Sequence, residues 1–173
     1  AGMYRKQLAW RSETGLLPSR TEFVVLPDPR DQKVGSGGAT LRALGLQTER
    51  NPYPAARRTL IIHSGGDSRR LPHCSATGKL FARIPRTLPD GRASTVFDEF
   101  LISLSGIAGV TPPGALVASG DVLLVFDHLQ LSFRRPGMTG VAAYAPAEMG
   151  TRHGVFVTET GTHRLRAYLH KPG

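Results

Sequence analysis

Apolar residues along this chain fall into two spacings, and the change from one to the other divides it into elements. Residues 3–14 carry Met3, Tyr4, Leu8 and Trp10 at loosely helical intervals, closed by a break over Gly15–Pro18. EFVVL (22–26) reads as a short strand stopped by Pro-Asp-Pro. VGSGGATLRALGL (34–46) reads as a glycine-rich turn opening a helix of about two turns. TLIIH (59–63) is an apolar, β-branched run of the kind found in the middle of a sheet, and KLFARIP (79–85) is a second strand-like run. STVFDEFLISLSGI (94–107) predicts a helix. Ser94 or Thr95 can cap it, Asp98 and Glu99 suit its first turn, and Val96, Phe97, Phe100, Leu101, Leu104 and Ile107 form its apolar face. GALVASGDVLLVF (114–126), GVAAYAP (140–146), GVFVTE (154–159) and LRAYLH (165–170) read as strands, the last two joined by a hairpin turn over TETGT (158–162). Strands alternating with helices predict an α/β fold with a mixed or mostly parallel sheet.

Composition narrows the class. With 173 residues the chain is expected to form a single domain, and 40% hydrophobic content argues against disorder. There is no apolar run long enough for a membrane span, and the leading residues lack the apolar core of a signal peptide, so a cytoplasmic protein with no membrane partner is expected. Cys74 is the single cysteine, which excludes an internal disulfide and a cysteine-based zinc site. The 22 basic residues outnumber the 13 acidic ones, and 18 of them are arginine. They are scattered rather than gathered in one stripe and do not interleave with aromatics, so nucleic acid is not the expected partner.

The charges that do cluster stand beside glycines. HSGGDSRRLPHCSATGK (63–79) places Gly65, Gly66, Arg69, Arg70 and Lys79 just after the TLII run. A strand entering a glycine-rich turn leaves backbone N–H groups to face an anion. Arginine offers phosphate a planar fork, and lysine a compact charge. A solvated surface loop is the alternative. The segment is not a Walker A loop, because no Gly-Lys-Ser or Gly-Lys-Thr occurs. Asp121, in the apolar stretch ASGDVLL, suits a divalent cation or a turn after Gly120. GSGGAT (35–40), with Gly37 and Gly38, could meet a phosphate or base at a helix start, or serve close packing and capping. The six histidines lack metal-ligand spacing, and Cys74, though near Arg69, Arg70 and His73 in sequence, has nothing else to make it a nucleophile.

Taken in order, HSGGDSRRLPHCSATGKLFARIP, STVFDEF, LVASGDVLLVFD and GTRHGVFV…AYLHKP, preceded by QLAWRSETGLLP…VVLPDPRDQKVGSGGATL, resemble the pyrophosphorylase-type domain of the L-fucokinase/GDP-fucose pyrophosphorylase family. The resemblance covers nearly the whole chain. It implies a Rossmann-like (GT-A-like) nucleotidyltransferase fold, a mixed sheet flanked by helices. The wider group of sugar-nucleotide pyrophosphorylases has a GGxGTRLxP loop and a downstream lysine. Gly65, Gly66, Ser68 and Arg70-Leu71 fall on that pattern, with Lys79 as the lysine. Ser68 stands where glycine is usual and Pro72 comes one residue early, which leaves open whether Arg69 or Arg70 faces the phosphates. The group's metal aspartate falls on Asp121. Its later YGV…EKP element appears as His153-Gly154-Val155…His170-Lys171-Pro172, which makes Lys171 the expected contact to the sugar phosphate.

The reaction so implied joins GTP and L-fucose 1-phosphate into GDP-fucose and pyrophosphate with Mg²⁺ as cofactor. The expected roles are Gly65, Gly66 and Ser68 (with Gly37 and Gly38) at the nucleotide, Arg69, Arg70 and Lys79 at its phosphates, Asp121 at the metal and Lys171 at the sugar phosphate. Relatives use a second metal-binding acid further on, so the chain is expected to be an incomplete, truncated domain of a longer parent, which could carry a C-terminal kinase domain. The alternatives are the front domain of an L-fucose kinase and a non-catalytic nucleotide- or phosphate-binding fragment. Little chain separates the 94–107 helix from the 114–126 strand, so the 22–46 unit is expected to fill the vacant place in the sheet.

Overall fold

The computed structural model describes residues 1–29, 32–50, 56–64, 71–120, 122–131, 133 and 137–173. They form two compact units, Ala1–Phe133 and Arg134–Gly173.

The first unit is built around a parallel strand pair and one well-capped helix. β1 (Arg58–His63) runs parallel to β4 (Gly114–Ser119) in unbroken register from Arg58↔Gly114 to His63↔Ser119. Parallel partners need a long crossover. Here it contains the antiparallel pair β2 (Arg83–Thr87) and β3 (Ala93–Thr95), then α3 (Val96–Ser105) and the short α4 (Ile107–Val110). α3 starts where the sequence pattern places it. Thr95 accepts from the Asp98 backbone N–H while Asp98 Oδ2 accepts from the Thr95 N–H at 2.9 Å, a reciprocal capping box. Phe97, Phe100 and Leu104 line its inner face. With Leu80, Phe81 and Ile107 they make the core, against which Ile62 of β1 and Leu116 and Ala118 of β4 pack.

Side chains alternate across a strand, so Ile62 turns to α3 while Ile61 and His63 turn to the other face. His63 there meets Thr40 of α2 (Gly35–Arg50) at 2.8 Å. The parallel pair thus has a helix on each side. α1 (Gly2–Glu13) adds Tyr4 and Leu8 to the core edge.

The second unit is a hairpin. β5 (Gly154–Thr158) pairs antiparallel with β6 (Leu165–His170) around a turn in which Gly161 takes φ +72°. The Phe156 and Tyr168 rings meet at 5.7 Å.

Several expectations change. The described residues hold three separate two-stranded sheets, one parallel and two antiparallel, rather than one mixed sheet, and β1 has one strand neighbour instead of a central place. Residues 22–26 form no strand and do not extend the sheet. Phe23 makes an edge contact to Phe97 at 6.1 Å, which half-buries it without a hydrogen-bond ladder, while Val24 and Leu26 stay exposed. The 34–46 segment is helical from Gly35 and runs on to Arg50. Gly37 and Gly38 therefore lie in the first turn of α2, not in a loop, and the good helix formers beyond residue 46 lengthen it. Lys79–Phe81 is a 3-10 turn, and the strand begins at Arg83. The 114–126 strand stops at Ser119. Leu124 and Phe126 reach the core from irregular chain tied to α3 by Ser103 Oγ donating to the Leu124 carbonyl at 3.0 Å. Residues 140–146 are exposed and form no strand.

Candidate active site

The C-terminal ends of β1 and β4 lie side by side. The Gly120 N–H donates to the His63 carbonyl at 2.8 Å, and a Cβ on Gly120 would fall 2.9 Å from that oxygen and 3.0 Å from Ser64 Cβ. Only glycine allows this approach. In the chain, the glycine and arginine segment follows Ser64 directly, and Asp121 follows Gly120. Both motifs therefore leave the parallel pair from the same end, the end at which open α/β sheets bind ligands.

Three further elements converge there. Tyr4 of α1 hydrogen-bonds Ser64 Oγ at 2.5 Å, and its ring meets Phe81 at 5.5 Å. The same ring lies over Gly78, which takes φ +84° and would admit no side chain. Gly78 opens the 3-10 turn whose buried Leu80 and Phe81 anchor Lys79. Ala1, Gly2, Met3, Tyr4, Lys6, Ser64, Ser75, Ala76, Gly78 and Lys79 line a cavity of about 550 Å³. Two lysines and three hydroxyls are among these described lining residues.

On the other face of β1, Thr40 links the α2 start to the same strand end. Its hydroxyl donates to the Ser36 carbonyl at 3.0 Å, which leaves its oxygen to accept from His63 Nε2 at 2.8 Å. Val34 packs against Gly38.

A second polar cluster supports the frame from beneath. Arg11 of α1 is 2% exposed, pairs with Asp98 at 2.7 Å and lies 5.3 Å from both the Phe81 and Phe97 ring centres. Its Nε is buried without a partner among the described residues. Arg92 approaches the same carboxylate at 3.2 Å. Burial alone would push the Asp98 carboxyl up; hydrogen bonds from Arg11 and the Thr95 hydroxyl, with the Arg11 charge, outweigh it and hold the group below its usual range. Glu99 accepts from Ser94 and Arg86.

Of the residues singled out by sequence, Gly65, Gly66, Ser68, Arg69, Arg70 and Asp121 lie outside the described residues. Lys79 lines the cavity; Gly37 and Gly38 sit in the first turn of α2, whose Thr40 bonds the end of β1. Lys171 belongs to the second unit. It follows β6 at φ +49°, with its N–H on the His153 carbonyl at 3.1 Å, and the Gly154↔His170 pairing brings the His-Gly-Val and His-Lys-Pro elements together. Sequence reasoning missed Lys6, Ser64 and Ser75 as cavity residues, took Tyr4 only as an apolar position, and missed the Arg11–Asp98 pair. No local pattern announces an ion pair 87 residues apart in sequence. Among the described residues no group of three or more His, Cys, Asp or Glu is placed to hold a metal, and no helix is long and apolar enough to cross a membrane.

Helices on both faces of a parallel pair, with a cavity lined by Lys6 and Lys79 near its C-terminal end, define an α/β protein. The family model of the fucose pyrophosphorylase domain matches residues 55–173, and the chain belongs to that family. It is 31% identical to the fucose-1-phosphate guanylyltransferase of Mus musculus and 32% identical to that of Homo sapiens, over 98% of this chain in each case. It is 28% identical, over 97% of the chain, to the bifunctional fucokinase/GDP-fucose pyrophosphorylase of Arabidopsis thaliana. The chain spans 30% of the length of the mouse and human proteins and 18% of the Arabidopsis one. No solved structure matches it.

Proposed function

We propose that this chain carries the nucleotide-handling part of a fucose-1-phosphate guanylyltransferase, with a Rossmann-like, GT-A-like nucleotidyltransferase frame. The observation that carries the reading is the in-register parallel pairing of β1 with β4, which brings the chain positions preceding Gly65 and Asp121 into backbone contact. Helices on both faces of that pair favour the Rossmann-like frame.

In the reaction, a non-bridging phosphate oxygen of L-fucose 1-phosphate attacks the α-phosphorus of GTP. The α–β phosphoanhydride bond breaks, and pyrophosphate leaves with its electron pair as GDP-fucose forms. No covalent enzyme intermediate is needed, so the work of the protein is alignment and charge neutralisation. Gly65 and Gly66, with Ser68, let the backbone approach the nucleotide. Arg70 or Arg69, together with Lys79, balances the charge growing on the leaving group. Gly37 and Gly38 stand at the nucleotide through the start of α2, and Lys171 takes the sugar phosphate. Asp121 is assigned to Mg²⁺, which when bound would neutralise phosphate oxygens. Two relatives are named for joint fucokinase and pyrophosphorylase activities, and a kinase segment in a longer parent protein is the matching proposal.

The test is an assay of GTP with L-fucose 1-phosphate, with and without Mg²⁺, following GDP-fucose and pyrophosphate together. Equal, Mg²⁺-dependent amounts of both products support the reading. Nucleotide hydrolysis without GDP-fucose in the longest parent chain contradicts it.

A further inference from the structure

Tyr4 of α1 touches two places that the nucleotide reading needs held together, the end of β1 and the turn that carries Lys79. It precedes residues 55–173, which the family model matches. We propose that Tyr4 and Ser64 are positioning residues: the hydroxyl bond between them fixes the backbone of Lys79 against the C-terminal ends of β1 and β4. The functional consequence, alignment of Lys79 with the triphosphate, rests on the nucleotide reading above.

The turn is gripped on both sides of Lys79. The Tyr4 ring centre lies 5.5 Å from that of Phe81, and the ring stands against Gly78, where a Cβ would collide with it. The Gly78 carbonyl accepts from the Phe81 N–H at 3.1 Å, and the Lys79 carbonyl accepts from the Ala82 N–H at 3.0 Å. Leu80 and Phe81 sink into the core beneath. The turn is thus a closed unit, but the ring alone does not relate it to the strands. The hydroxyl does so, through the 2.5 Å bond to Ser64, the residue that follows β1. Ser64 Cβ in turn stands 3.0 Å from where a Cβ on Gly120 would fall, just beyond β4. Ser64 is therefore the point at which both strand ends and Tyr4 meet.

α1 makes Tyr4 a fixed post. Leu8 packs on the core, and Arg11 bonds Asp98 and Thr95. With Tyr4 these residues recur at i, i+4 and i+7, one face of the helix. Tyr4 and Ser64 are themselves half-buried, and neither belongs to the buried core. Loss of either hydroxyl is expected to leave the chain folded. What it releases is alignment, which is the work this reaction asks of the protein.

Amide hydrogen exchange and GTP titration on the 173-residue chain test the proposal, for the wild type, Tyr4→Phe, Ser64→Ala and the two together. Tyr4→Phe keeps the ring and removes only the hydroxyl. The Phe81 and Ala82 amides are expected to exchange about fivefold faster in each single variant, the effect of about one lost hydrogen bond, and no faster in the double variant. Amides inside α3 should keep the wild-type rate, which separates a local release from a general loss of stability. GTP should bind about fivefold more weakly to each variant, and Tyr4→Phe should cost less than about twofold in a Lys79→Ala background. Unchanged exchange at Phe81 and Ala82 overturns the proposal whatever GTP does. Faster exchange with unchanged GTP affinity also overturns it, by leaving the bond a purely structural role. If Tyr4→Phe costs the same factor with and without Lys79, Tyr4 acts elsewhere, and the proposal fails while the nucleotide reading stands. If the folded wild type binds no GTP, the nucleotide reading fails, and faster exchange in the variants still upholds the tie between the turn and the strand ends.

Discussion

Asp98 is where single-residue chemistry bears most on stability. It caps α3, pairs with Arg11 across 87 residues of sequence, and is 4% exposed. Its carboxyl titrates lower in the folded chain than the ~3.9 of an unfolded aspartate. The unfolded chain therefore takes up the proton first as pH falls. The contribution to stability is complete above the unfolded value and is lost as pH drops through the lower folded one. Asp98→Asn should cost about 3 kcal/mol at pH 7, because it leaves Arg11 buried without its counter-charge. It should also flatten the fall in thermal midpoint between pH 5 and pH 3 relative to the wild type. Thermal melts across that range check both, and parallel slopes for the two proteins would remove Asp98 from the account. A cap at Ser94 or Thr95, with Asp98 and Glu99 in the first turn, was legible in sequence because capping is a local signal; that Thr95 and Asp98 form a reciprocal box is what the structure adds. The partner of Asp98 was not, since nothing around Arg11 marks it as buried.

At the scale of elements, the meeting of two strand ends decides whether the motifs can act together. Gly120 allows it by carrying no Cβ where the His63 carbonyl and the Ser64 and Ile62 side chains stand. A backbone oxygen cannot yield as a flexible side chain can. Gly120→Ala is expected to cost about 1–3 kcal/mol from this crowding and to weaken GTP binding with it. Gly109→Ala, at a glycine with open space in α4, should leave both within error. Denaturant midpoints and a GTP titration on the two variants test this; equal behaviour would show that the strand ends do not need their close approach. Long periodic segments were legible here: α3 from its caps and apolar face, β1 from TLII, and the β5–β6 hairpin from its turn. The failures share a cause. EFVVL and GVAAYAP have strand-like composition, but a strand needs a partner, and composition does not supply one. The glycines of GSGGAT suggested a loop, while Thr40 and the residues through Arg50 carry the helix from Gly35.

For the whole molecule, residue order proved more informative than composition. The net charge of +9 pointed to no partner by itself, and the family was legible from a handful of motifs read in sequence. The chain contributes a frame in which β1 and β4 end side by side, near a cavity whose lysines come from separate elements. What sequence could not show was that α1 belongs to that cavity, because its placement depends on Tyr4, Leu8 and Arg11 finding partners 60 or more residues away. The most direct test of the central claim is calorimetric titration of the folded chain with GTP in the presence of Mg²⁺, beside an Arg70→Ala, Lys79→Ala double variant. The account predicts saturable GTP binding by the wild type, tighter than for ATP or UTP, and its loss in the double variant. A folded wild type that binds no GTP, or a double variant that binds it unchanged, would contradict the placement of the nucleotide at these strand ends.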